Sequence, residues 1–156
     1  MIYVLDASCF IVLGHYFPAR FPSFWEKFNE LVSTGSIISV REVHRELDRQ
    51  AAKPHLRDWI GENKRIFLPP SPSETEFVRE IFSNQHFQAL LKNRQILTST
   101  PVADPFVIAS GYVRNACVVT EETKKPNAAK IPNVCEYYDV DCINLESLME
   151  HECWTF

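Results

Sequence analysis

The beginning of this chain, where Ile2-Tyr3-Val4-Leu5 stops at Asp6-Ala7-Ser8, constrains its fold more than any other stretch. An apolar run rich in β-branched and aromatic residues describes a strand covered on both faces, as in parallel sheets. A carboxylate is costly to bury alone. Asp6 therefore belongs at the strand's carboxyl end, the edge where open α/β sheets bind ligands, and Ala7 and Ser8 are small enough to leave room for one. Asp6 also suits the N-cap of a following helix.

Similar short apolar runs recur at 36–40, 116–120 and near 141–143, with helical patterns between them. The run Ile66-Phe67-Leu68 before Pro69-Pro70 is loop or a short edge strand. Ser23 with Glu26, Ser39 with Glu42 and Ser73 with Glu76 have capping-box spacing and predict three helix starts; Gly35 is placed to end the first of those helices. Pro54 interrupts, and His55 to Lys64 reads as a further helix, as does Phe87 to Leu97. Asp104 as N-cap and Pro105 at the first helical position open a helix to about Asn115. After a polar loop from Glu121 to Ala129, short helices are expected at 134–138 and 144–150. Strands alternating with helices imply a mainly parallel sheet between helical layers, in one domain spanning residues 1–156.

A hydrophobic content of 46% and a charged content of 23% suit a soluble globular protein. No run approaches the roughly 18 apolar residues of a membrane span, and no basic region precedes the first apolar run, so a cytoplasmic protein is expected. The five cysteines form no CxxC pair and read as small core side chains rather than zinc ligands. The net charge of −4 excludes a nucleic-acid binder that relies on overall charge. Such a role needs a bound metal, a partner, or a local patch, for which Lys124, Lys125 and Lys130 are the candidates; an ordinary solvated loop accounts for them equally well.

Several acids fall where this architecture gathers residues. Asp6 ends the first strand, Glu42 and Glu46 share a helix face, Asp104 opens a helix, and Glu121 and Glu122 follow the strand ending at Thr120. Glu42 ranks below Glu46 because it can serve Ser39 as capping partner. Each acid singly has an ordinary structural explanation; together they make a site for a hard divalent cation, Mg²⁺ or Mn²⁺. Such an ion activates water and clamps phosphodiester oxygens.

In this order the motifs Val4-Leu5-Asp6-Ala7-Ser8, Glu42 through Leu47, Ala103-Asp104-Pro105 through Ala109, and Val118-Val119-Thr120-Glu121-Glu122 resemble the PIN-domain nucleases, which include the VapC-type toxins of toxin–antitoxin pairs. The tail around Lys130 to Cys135 and Cys142 to Leu145 is similar to a little-characterised branch of that superfamily. The resemblance implies a PIN-like three-layer α/β/α fold and a metal-dependent endoribonuclease toxin. Asp6, Glu46 and Asp104 match the metal-binding acids, and Ser8 and Thr120 match small hydroxyl positions lining the site. The family more often places Asp two residues after the strand's Thr. This chain has Glu122 there, with Glu121 as the alternative. The implied partners are an RNA substrate, an antitoxin of possible helix-turn-helix type, and a second copy of the chain, with no membrane.

A catalytically weak PIN-like module that binds RNA or protein is the alternative, favoured by the acidic charge and the altered fourth acid. A phosphatase of the haloacid-dehalogenase type is discounted, because it requires a second Asp where Ser8 stands.

Overall fold

The computed structural model describes residues 1–50, 53–88 and 102–156. Five strands, β1 (Tyr3–Leu5), β2 (Ile37–Val40), β3 (Phe67–Leu68), β4 (Cys117–Val119) and β5 (Cys142–Ile143), form one sheet in the order β3-β2-β1-β4-β5, every pair parallel. Helices α1 (Ala7–Leu13), α2 (Pro22–Ser33), α3 (Arg41–Gln50), α4 (Pro54–Glu62), α5 (Pro72–Ser83), α6 (Asp104–Arg114), α7 (Ile131–Tyr137) and α8 (Leu145–His151) complete the described elements, with a 3₁₀ turn at Lys64–Ile66. The chain is a three-layer α/β/α, PIN-like fold.

The strand order has a functional consequence. Successive crossovers carry the chain from β1 outward to β2 and β3, and the next one returns it to β4 on the other side of β1. The direction of winding reverses between β1 and β4, and such a switch point opens a crevice beyond the strands' carboxyl ends. Tyr3, Val4 and Leu5 stand in register with Cys117, Val118 and Val119, so Asp6 and Thr120 emerge side by side.

One face of the sheet is covered by an aromatic cluster. Phe10 of α1 lies 6.1 Å from Trp59 of α4 and 5.4 Å from Phe67, and Trp59 reaches Trp25 and Phe28 of α2 at 5.9 and 5.5 Å. The indole nitrogens are satisfied as buried tryptophans require, Trp25 donating to the Tyr16 carbonyl and Trp59 to Asn29 Oδ1. On the other face α5, α6 and α7 pack together, Phe77 stacking on Tyr112 at 3.9 Å.

Several helix starts differ from expectation, and prolines account for most of them. Helix α2 begins at Pro22 with no side-chain cap, so Ser23 and Glu26 form no capping box. Helix α5 begins at Pro72, and its cap is Ser71, which accepts from the Glu74 N–H, rather than Ser73 with Glu76. Pro54 opens α4 instead of merely interrupting the chain. A proline ring presets φ for the first helical turn, where its missing N–H costs nothing. Ser39 is buried, and its hydroxyl donates to the Leu5 carbonyl at 2.7 Å instead of capping α3. Asp104 is the first helical residue of α6, entered through Ala103 in helical conformation with no side-chain cap from that residue. The expected helix from Phe87 to Leu97 lies, beyond Gln88, outside the described residues. Gly35, at φ +77°, ends α2 as expected.

Candidate functional site at the β1–β4 switch point

Asp6 is both the N-cap of α1 and the centre of a hydrogen-bonded cluster. It is buried, and its Oδ2 accepts from Ser8 Oγ at 2.8 Å, from Thr120 Oγ1 at 3.1 Å and from the Ser8 N–H at 3.4 Å. The two hydroxyls have defined directions. Ser8 Oγ accepts from the Glu121 N–H at 3.0 Å, and Thr120 Oγ1 accepts from the Glu122 N–H at 3.1 Å. Each hydroxyl thus receives a backbone proton from the loop after β4 and points its own proton at Asp6. Asp6 Oδ2 therefore acts as an acceptor only. All three bonds fall on Oδ2; among the described residues Oδ1 receives none.

The other acids are placed by the same topology. A helix leading into a parallel strand runs against it, so α6 starts at the carboxyl edge, and Asp104 in its first turn is buried there. Helix α3 leaves the carboxyl end of β2. Its Glu42 is buried, with Oε1 accepting from Arg41 Nη2 at 3.0 Å while Oε2 has no partner among the described residues. Glu46, one turn on, is half-buried, and its Oε1 stands 3.5 Å from Gln50 Nε2.

The pair after β4 makes contacts that the sequence did not announce. Glu121 Oε1 accepts the N–H of Leu145, the first residue of α8, at 2.8 Å. Glu122 Oε2 accepts the N–H of Ile131, the first residue of α7, at 3.0 Å. Each carboxylate satisfies a donor that the helix cannot pair internally and meets the positive end of its dipole. Glu121→Ala and Glu122→Ala are each expected to cost about 1 kcal/mol, by analogy with the loss of a capping side chain. Urea unfolding measures it, and unchanged stability would show these contacts to be incidental.

The structure therefore joins Asp6, Ser8, Thr120 and the backbone of Glu121 and Glu122 into one network. Among the described residues, no group of three His, Cys, Asp or Glu side chains stands ready to hold a metal ion. The donors still suit a hard cation: Asp6 and Asp104 are buried carboxylates on one sheet edge, and Mg²⁺ usually takes one or two carboxylates and keeps several waters. A cleft of about 300 Å³ adjoins the network, lined by Thr120, Glu122, Lys124, Pro132, Cys142 and Asn144 among others. Lys124 lies on this cleft and pairs with Glu136 of α7. Lys125 is held through its backbone, which exchanges two hydrogen bonds with the Asn133 side chain at 2.7 and 3.3 Å. Lys130 immediately precedes α7.

Sequence reasoning missed Asn133 as the staple of the lysine loop and Cys142 as part of the cleft wall. Asn133 carries no periodic signal, and Cys142 resembles any other small apolar residue of a strand.

The sequence profile described as "Domain of unknown function (DUF4411)" matches residues 3–156. No curated protein matches the sequence. Among solved structures, a chain of the VapBC2 complex from Rickettsia felis, bound to a DNA fragment from its promoter, is similar in fold: TM-score 0.55 at 15% identity, over 92% of this chain and 98% of that one. Among the described residues, no helix is long and apolar enough to cross a membrane.

Proposed function

The chain belongs to the DUF4411 family, and we propose that within it this protein is a metal-dependent endoribonuclease, the toxin of a toxin–antitoxin pair. The observation that carries the reading is the convergence of two oriented hydroxyls on Asp6 at the sheet's switch point. That arrangement fixes the Asp6 carboxylate through Oδ2 at the edge where α/β folds bind their ligands, with Oδ1 turned to no donor among the described residues. The likeness to a VapBC2 chain supports the toxin–antitoxin context and an antitoxin as partner, for which a helix-turn-helix protein is the candidate type. A homodimer is part of the same reading.

Asp6 and Asp104 would hold Mg²⁺ or Mn²⁺, with Glu46 from α3 and Glu122 from the loop after β4 as further ligands. The bound ion would supply activation of a water and neutralisation of phosphodiester oxygens. Ser8 and Thr120 orient Asp6. Glu122 has a second carboxylate oxygen besides the one facing Ile131, and Glu121 and Glu42 are the alternative acids. Incubation of the purified chain with varied single-stranded RNAs tests the reading. Cleavage with Mn²⁺ that stops in EDTA is expected; cleavage that persists in EDTA, or none with any RNA, overturns it.

Lys124, Lys125 and Lys130 are expected to meet substrate phosphates. Changing all three to Ala should flatten the salt dependence of RNA binding by about 0.7 per lost contact, or about 2 if all three bind. A slope unchanged in a binding titration would leave them as surface residues, with Lys124 serving only Glu136. The second reading, a weak RNA- or protein-binding module, draws on the commitment of Glu121 and Glu122 to helix N-termini.

A further inference from the structure

The segment between α1 and α2 carries two exposed aromatic rings. Phe17 and Phe21 are 46% and 44% exposed, although phenylalanine normally contributes its large apolar area to cores and interfaces. Both are set on a hydrogen-bonded frame. The N–H groups of Arg20 and Phe21 donate to the Phe17 carbonyl, each at 2.9 Å, closing one turn with the two rings four residues apart. Behind it the Tyr16 carbonyl accepts from the Trp25 indole at 2.6 Å. The Tyr16 ring lies 5.5 Å from Phe21 and 4.9 Å from the buried Phe24. A ligand therefore meets these rings on backbone that is already ordered, which lowers the cost of binding.

The charge around the rings runs against that of the chain. Lys53 Nζ stands 5.8 Å over the Phe17 ring, and the His55 ring lies 5.3 Å from it. Gly14 brings the same two segments together: a Cβ there would lie 3.3 Å from Lys53 Cγ and 3.5 Å from Leu56 Cδ2. Residues 14–22 and 53–57 contain His15, Arg20, Lys53, His55 and Arg57 and no Asp or Glu; Glu26 and Asp58 are the next acids along the chain. A chain of net charge −4 thus surrounds two exposed rings with cations. Proteins that hold single-stranded nucleic acid combine these two features, aromatic faces on which bases stack and cations that track the backbone. An apolar protein surface would cover the rings but leave the cations without partners, a costly arrangement. A polyanion with flat apolar bases satisfies both.

We infer that Phe17 and Phe21 form a stacking platform for unpaired bases of a single-stranded RNA, with Arg20 and Lys53 holding the adjoining phosphates. The inference deepens the nuclease reading and rests on it for the identity of the nucleic acid. Helix α1 leads from Asp6 to this platform and, at seven residues, is about 10 Å long. One single strand is long enough to reach both. The platform adds grip beside the reacting centre and is indifferent to base identity, because every base has a π-face.

Binding by the full chain is measured in EDTA, with a fluorescent single-stranded RNA and with an abasic oligomer of the same length. Changing Phe17 and Phe21 together to Ala should weaken RNA binding roughly 5- to 150-fold per stacked base, the equivalent of about 1–3 kcal/mol. Its salt slope and the affinity for the abasic oligomer should not change. Arg20→Gln with Lys53→Gln should instead lower that slope by about 1.4, at about 0.7 for each contact. Should the Ala variant fail to fold on thermal unfolding, Phe17→Leu with Phe21→Leu keeps apolar bulk and removes only the aromatic faces, with the same loss expected. Wild-type RNA affinity in the folded Phe variants, or no RNA binding by the wild type, overturns the platform. The nuclease reading survives the first of these if the wild type still cleaves RNA with Mn²⁺. Ring-dependent binding without cleavage in Mn²⁺ would sustain the platform and overturn the nuclease. Unchanged RNA affinity with self-association lost on sedimentation would assign the rings to a protein contact and overturn the inference.

Discussion

Asp6→Asn should lower metal-dependent RNA cleavage by about two orders of magnitude or more, in line with the loss of a preorganised charge-stabilising group at a reacting centre. The substitution is nearly isosteric. An asparagine oxygen in place of Oδ2 can still accept from Ser8 and Thr120, whose 2.8 and 3.1 Å bonds hold the residue in the wild type. What changes is the position of Oδ1, where a neutral amide would face the cation. The fold should therefore survive while metal affinity and activity fall. Single-turnover cleavage of labelled RNA with Mn²⁺, alongside thermal unfolding in EDTA, separates the two effects. Wild-type cleavage by the mutant would remove Asp6 from the chemistry and with it the proposed site. A mutant that simply unfolds would instead make the hydroxyl network a structural device.

The largest stability effect is expected at Gly111, where α6 crosses the sheet. A Cβ built there would lie 2.5 Å from Val118 Cγ2, 3.1 Å from Val140 Cγ1 and 3.4 Å from the Ala116 carbonyl. Val118 is fully buried and paired with Val4 and Cys142 on neighbouring strands, so it has nowhere to withdraw. Gly111→Val should cost about 3 kcal/mol through overpacking, which for a chain of this size lowers Tm by roughly 6–12 °C. Because α6 carries Asp104 in its first turn, the displaced helix should lose activity as well. Gly61 of α4 is the control: no atom stands within 4 Å of its added Cβ among the described residues. Gly61→Ala should raise stability by up to about 1 kcal/mol through helix propensity alone. Calorimetry of both mutants tests the contrast, and equal Tm values would mean that α6 is not pressed against β4.

The helix boundaries show where local pattern ceased to be sufficient. Ser23, Ser39 and Ser73 each precede a glutamate at capping-box spacing, yet none caps a helix. Two of them follow a proline that had already begun the helix. Ser39 fails for a different reason: in the sheet interior its hydroxyl meets the Leu5 carbonyl, a partner that exists only once β1 and β2 pair.

What the sequence by itself determined was the order of elements and the residues that end strands β1 and β4, Asp6 and Thr120. Apolar runs short enough for buried strands, alternating with amphipathic helices, admit a parallel sheet with little ambiguity. That sheet delivers Asp6, Asp104 and Thr120 to one edge, because strand direction follows from the right-handed crossover. Only the tertiary structure decided which groups face one another there. Thr120 and Asp6 meet across 114 residues of chain, and Glu121 and Glu122 each place one carboxylate oxygen on the first N–H group of α8 and of α7. Both glutamates have the same charge and similar reach, and nothing in their neighbours announces these helix contacts. They belong to the unpaired N–H groups that folding brings within hydrogen-bonding distance.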